Sequence, residues 1–255
     1  MLSTLVDWVG AGMLFSIAKF GAGAVAGVAG TVFAVFMLPN MMVKQRTKKE
    51  IEGKSPADSF AWKHLFADEE WTHYTYTDKV QNEGYKDHLV YDALKHEEKV
   101  RSVEFLTRGD ENIVVFDLGK GVCGHDGIVH GGLIATIIDN TYGKLVMGAT
   151  KKPAFTANLS IDYRRPLPAD TKVAVHSRVE SHEGRKIRVS ARVCAANKDG
   201  MLDDIVFAES TALFITPRNA PTMPDFAWAT LWQHTTEFPR PRVFHLDDAD
   251  KAKTE

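Results

Sequence analysis

The sequence predicts an α+β domain: an antiparallel sheet wrapped around one central helix, preceded by a transmembrane helix. Three observations carry this prediction. Residues 20–38 run without a charge, the property of a membrane span. Several segments after residue 100 alternate apolar and polar residues with a period of two, the pattern of half-buried strands. Among them lies one segment, 130–147, apolar on most sides, as a buried helix must be. A chain of 255 residues holds one ordinary domain with extensions. The organisation read from composition is an N-terminal anchor at 1–43, a basic linker and largely helical connector at 44–99, the sheet-and-helix domain at 100–217, and a proline-containing tail at 218–255 that includes Trp228 and Trp232. A net charge of −2 gives no reason to expect a nucleic-acid partner.

Phe20 to Leu38 reads FGAGAVAGVAGTVFAVFML and ends at Pro39-Asn40. Roughly 20 such residues span a bilayer. Gly23 and Gly27 have the small-residue spacing that lets membrane helices approach closely. The first basic residue is Lys19, which argues against a cleaved signal peptide. Lys44, Arg46, Lys48 and Lys49 follow the span, so the positive-inside rule puts the main domain in the cytosol or matrix. In the connector, Ser55-Pro56 reads as a helix start with Ser as N-cap and Pro at the first position. Trp62, Phe66 and Trp71 read as packing residues. His64, His73, His88 and His96 have no ligand spacing, and no metal is expected. Cys123 and Cys194 are too few for a disulfide framework and are expected as reduced thiols.

The domain should open with a hairpin, Val100–Leu106 and Ile113–Leu118, around Arg108-Gly109-Asp110. Alternation at 173–180 and 186–193 gives two further strands, and the apolar run 205–216 a central one. Glu183-Gly184 and Asn197-Lys198-Asp199-Gly200 supply turns.

The chemistry concentrates where Gly124-His125-Asp126-Gly127-Ile128-Val129-His130-Gly131-Gly132 enters the helix. Free N–H groups of a first helical turn suit a carbonyl oxygen that becomes negative during attack. Asp139 interrupts the apolar run Ala135-Thr136-Ile137-Ile138 and its continuation. A carboxylate placed there needs a reason: it can activate water as a general base or attack an acyl group itself. Nine residues separate it from His130, roughly 13 Å of helical rise and about half a turn. One helix cannot bring both groups to one carbonyl. Two helices related by a two-fold axis can, so an isologous homodimer with two shared sites is expected, or a pairing with another chain of the same fold.

The segments GHDGIVHGGLIATIIDNTYG, FTANLSIDYRRPLP, EGRK and ESTALFI together resemble the hotdog-fold thioesterase superfamily, above all the mitochondrial acyl-CoA thioesterases of the thioesterase-superfamily-member type. The likeness runs over residues 90–217. It implies that Asp139 is the catalytic acid/base, that His130 with the Gly131 and Gly132 amides forms the oxyanion side, and that Thr156 supports the attacking water. Coenzyme A enters only as part of the substrate, with no other cofactor. Its phosphates call for basic residues, and Arg164, Arg165, Arg185 and Lys186 are candidates; a solvated strand face explains them equally well. Three departures bear on substrate preference: Asp126 stands where the family has proline, Asn140 follows the aspartate where a small residue is common, and one extra residue lies in Lys151-Lys152-Pro153.

The resulting expectation is hydrolysis of a fatty acyl-CoA to free acid and CoA by a membrane-anchored enzyme, at the matrix side of the mitochondrial inner membrane. The alternative is an accessory subunit of a larger mitochondrial membrane complex, with a reduced or absent catalytic role. Acyl-chain length is not written in the sequence.

Overall fold

A computed structural model describes residues 38–75 and 88–222. Residues 20–37 of the expected membrane span and the tail with Trp228 and Trp232 lie outside them. Among the described residues no helix is long and apolar enough to cross a membrane. Chain contacts divide the molecule after Gln45, and the unit from Arg46 onward holds the sheet.

Helix α1, Leu38–Glu52, runs into the first residues of the segment read as basic linker and connector. Pro39 does not stop a helix here but sits in its first turn, where its missing N–H costs nothing. No breaker then follows until Gly53. From Arg46 on, the helix is tied down by Ile51, which is buried in the core, and by ion pairs from Lys48 to Asp170 and from Glu50 to Arg165.

Over its described residues from 57 to 99 the connector is less helical than expected. Ser55 caps nothing. Asp58–Phe60 forms a 3-10 turn and Trp62–Ala67 a short helix α2, whose flanking Ala57 and Ala61 offer no capping side chain. The segment is held instead by the turn at 197–200: Trp62 N–H donates to the Asp199 carbonyl and its indole Nε1 to that of Asn197. Thr72–Thr75 is strand β1, and Leu89–Ala93 a π-helical turn capped by His88 Nδ1, which accepts from the Val90 and Tyr91 amides.

The remaining strands are β2 (Val100–Arg108), β3 (Glu111–Leu118), β4 (Cys123–His125), β5 (Ile128–Val129), β6 (Phe155–Tyr163), β7 (Thr171–Glu183), β8 (Lys186–Ala196) and β9 (Met201–Ile215). Seven of the nine form one antiparallel sheet in the order β1-β2-β3-β7-β8-β9-β6. β4 and β5 pair in a small hairpin just before helix α3, Gly131–Thr150. The expected hairpin, turns and central helix are therefore present. β6 and β1 were not expected.

Helix α3 lies on one face of the sheet. Ile137, Ile138, Tyr142 and Val146 are fully buried against Val173, Val175, Val189, Phe207 and Phe214. Each such side chain contributes about 1.5–3 kcal/mol by leaving water. The opposite face is covered by α2, whose Trp62 and Leu65 meet Leu106, Ile113, Val115, Ala174 and Cys194. Burial on both faces explains why β3 is buried along almost its whole length and does not alternate. Two polar connections fix the helix on the sheet. Tyr142 Oη donates to the Ser210 carbonyl at 2.9 Å, and Asn112, bonded to Ser177, donates to the Thr141 carbonyl at 3.4 Å. This is the hotdog fold, an antiparallel sheet curled about one helix.

Candidate active site

Helix α3 is continuous from Gly131 to Thr150, so the expected separation of its first turn from Asp139 holds. His130 is the N-cap. Its Nδ1 accepts from Gly132 N–H at 2.9 Å. A backbone N–H can only donate, so this contact uses the lone pair of Nδ1 and selects the tautomer with its proton on Nε2. This changes the expected oxyanion side. The Gly132 amide is already engaged within the chain. The Gly131 amide is the one with no acceptor among the described residues, at the positive end of the helix dipole. His130 itself is exposed. Gly124 is required beside it: a Cβ at that position would stand 2.8 Å from the His130 ring and 3.1 Å from its Cα.

Asp139 is half-buried, on the side of α3 turned toward β6. Thr156 Oγ1 donates to Asp139 Oδ1 at 2.6 Å, the short geometry of a charge-assisted bond. A bulge puts Thr156 there. Thr156 pairs with Phe214 and Asn158 with Leu213, leaving Ala157 as the extra residue. The extra residue brings Thr156 onto the inward face shared by Leu159 and Ile161, and bulges re-aim side chains in this way. The structure thus joins two of the expected site residues, Asp139 and Thr156, and joins His130 to Gly132, but keeps the two pairs apart.

The basic candidates fall into the same two groups. β8 pairs Lys186 with Ile215, and β6 pairs Phe155 with Ile215, so Arg185 and Lys186 lie toward the Asp139–Thr156 end. Arg164 and Arg165 follow Tyr163 at the other end of β6, on the order of 25 Å along the strand. Arg164 is paired with Asp162 and Glu209, and Arg165 with Glu50. Arg185 donates only to the Thr216 carbonyl, and Lys186 is exposed with no ion pair among the described residues.

The family departures acquire physical reasons. Asn140 Nδ2 donates to Tyr91 Oη at 2.5 Å, tying the π-helical turn to α3 one residue from Asp139. Burial, with Lys144 nearby, lowers the pKa of His88, which stacks on Tyr91. Lys151, in the segment with the extra residue, takes the left-handed conformation that ends α3. Asp126 lies exposed in the β4–β5 turn.

One residue of the site escaped sequence reading. Tyr163 Oη donates to the Gly131 carbonyl at 2.9 Å, and its ring lies over Gly131. Its inward parity with Leu159 and Ile161 was the available signal.

A family model for the thioesterase superfamily matches residues 126–201. Acyl-coenzyme A thioesterase THEM4 of Rattus norvegicus is 34% identical over 148 residues, 51% of this chain and 61% of that protein. An uncharacterized mitochondrial protein of Candida albicans is 24% identical over 173 residues, 66% of this chain and 75% of that one. MIOREX complex component 3 of Saccharomyces cerevisiae is 26% identical over 134 residues, 50% of this chain and 49% of that protein. The chain thus spans less than two thirds of the length of the rat thioesterase. The segment that matches the thioesterase superfamily, residues 126–201, holds both helix α3 and the edge strand β6.

Proposed function

We propose that the protein hydrolyses acyl-CoA thioesters to the free acid and CoA. The contact between Thr156 Oγ1 and Asp139 Oδ1 carries this reading. The threonine proton occupies one carboxylate oxygen and leaves Oδ2 for a water. Asp139 takes a proton from that water as its oxygen adds to the thioester carbon. The carbonyl oxygen becomes an oxyanion that the Gly131 amide and the α3 dipole stabilise, a donor of this kind being worth about 3 kcal/mol. Collapse breaks the carbon–sulfur bond, and the proton on Asp139 passes to the leaving thiolate. Direct attack by Asp139 through an anhydride is the competing route. Arg185 and Lys186 are better placed than Arg164 and Arg165 to meet CoA phosphates, because carboxylates already neutralise the latter pair.

The two halves of this chemistry come together when two chains pair about a two-fold axis, so the active species is a homodimer or a pair of related hotdog chains. A matrix-facing mitochondrial protein anchored by residues 20–38 fits the likeness to a Candida protein named mitochondrial. The test is release of free CoA thiol from a series of saturated acyl-CoAs by the full chain, beside Asp139→Ala. No turnover on any chain length refutes the enzyme reading.

The relative that is named as a component of a complex favours a second reading, an accessory subunit. Stoichiometric co-purification with a larger membrane assembly, together with absent turnover, would establish it. Loss of the protein from the membrane fraction on deleting residues 1–43 tests the anchor.

A further inference from the structure

The Gly131 carbonyl and the Gly132 N–H belong to one peptide unit, and each end of that unit is held by a side chain. Tyr163 Oη donates to the carbonyl at 2.9 Å, and His130 Nδ1 accepts from the N–H at 2.9 Å. Tyr163 reaches the peptide from β6, the same strand whose Thr156 holds Asp139. We infer that Tyr163 is a positioning residue: by fixing the Gly131–Gly132 peptide it keeps Gly132 N–H on His130 Nδ1, so that the ring presents Nε2–H and the adjacent Gly131 amide stays free for the substrate oxygen.

The physical reasons are direct. A donor on a peptide carbonyl polarises the unit and strengthens its own N–H as a donor. The Tyr163 ring lies against Gly131, where a Cβ would meet its atoms at 3.5 Å, an ordinary contact distance. Tyr163 is 54% exposed, so its hydroxyl contributes little to folding. One side chain on β6 thus orients the oxyanion end of α3, and another on the same strand orients the acid/base end.

The inference rests on the thioesterase reading for its kinetic consequence, but its structural consequence does not. Tyr163→Phe removes the hydroxyl and keeps the ring. In the full chain, with saturated acyl-CoAs as probe, kcat should fall about fivefold, the loss expected for one neutral hydrogen bond, with KM within about twofold of the unmutated protein. The melting temperature should move by no more than about 2 °C. Nitrogen-15 NMR of the His130 ring should show the Nε2–H tautomer in the unmutated protein and a mixture of tautomers in Tyr163→Phe. This NMR shift survives even if the protein turns over no acyl-CoA, which separates failure of the inference from failure of the enzyme reading. An unchanged tautomer in Tyr163→Phe overturns the inference, whatever happens to kcat. Unchanged kcat in an active enzyme overturns its catalytic part.

Discussion

Asp139 and the first turn of α3 cannot serve the same thioester from one chain, and mixing two inactive variants tests this. Gly131 and Asp139 stand eight residues apart on a continuous helix, about 12 Å of rise, whereas a carbonyl must sit about 3 Å from each group. On the proposed mechanism, Asp139→Ala removes the acid/base from both sites of a dimer, and His130→Ala disturbs both oxyanion sides. Each parent should fall about a hundredfold or more. Co-expressed, they form heterodimers in which one site carries both lesions and the other carries none. Random pairing makes half the dimers heterodimeric, each with one intact site of two, so activity should recover to about a quarter of the unmutated level. The assay is CoA-thiol release at equal total protein. His130→Ala also loses a helix cap, at about 1 kcal/mol, so its melting temperature must be read alongside. If each chain held a complete site, every heterodimer site would keep one lesion. Recovery no greater than the sum of the parents refutes the shared-site geometry.

Thr156→Val should cost about 10–100-fold in kcat/KM, the worth of a hydrogen bond to a charged group, and Thr156→Ser should restore most of it. Equal activity in Thr156→Val and the unmutated enzyme would remove Thr156 from the site. Asp170 is hydrogen-bonded by Arg101 and faces Lys48, which holds its carboxyl below the ordinary 3.8. Its stabilisation is complete above that value and is lost as pH falls through the lower folded pKa. Asp170→Asn keeps the left-handed backbone at φ 60, which Asn tolerates, so the stability difference from the unmutated protein should be full near neutrality and shrink below pH 3.8. A gap independent of pH would contradict the ion-pair account. Burial pushes the Cys194 thiol up to about 12, while Cys123 is exposed. A thiol reagent should label one cysteine in the native protein and both after unfolding, and two fast-reacting thiols in the native state would contradict the buried position.

The parts of the fold that were legible in the sequence are those with two well-covered faces or a clean alternation. Helix α3 is marked by Leu133, Ile134, Ile137, Ile138, Leu145 and Val146, all of which are buried. β7 and β8 alternate clearly where one face only is buried, as over Ile187–Val193, and lose the alternation at Val173–Val175 and Val193–Ala196, where α2 packs on the other face. β6 was missed for a physical reason: as an edge strand it is exposed along most of its length, so selection for apolar residues is weak, and its bulge breaks the period at Ala157. β1 is four residues long and sits among aromatic and charged residues with no alternation of their own. In the site, Asp139 stood out because it interrupts an apolar helix. Thr156 was reached only through resemblance, since nothing in its own neighbourhood announces it without the bulge. The roles of Tyr163, and of Asn140 with Tyr91, are long-range contacts between elements 32 and 49 residues apart, a distance over which sequence periodicity carries no information.

The placement of the site on β6 also bears on how two chains would pair. A nine-residue edge strand leaves one row of N–H and C=O groups unpaired, a template for association that proteins ordinarily blunt with charge, proline or a covering element. β6 does little of this. Its single charge is Asp162, and it leaves Phe155 and Tyr163 at 66% and 54% exposure. Alongside it, the Asp139 side of α3 is only half-buried. An edge that no other described strand covers fits a surface that a second chain covers. The same strand touches the oxyanion end of α3 through Tyr163 and the acid/base end through Thr156. A two-fold axis near the middle of β6 would therefore exchange those ends, setting the Gly131 amide of each chain toward Asp139 of the other and burying the exposed strand in the same step.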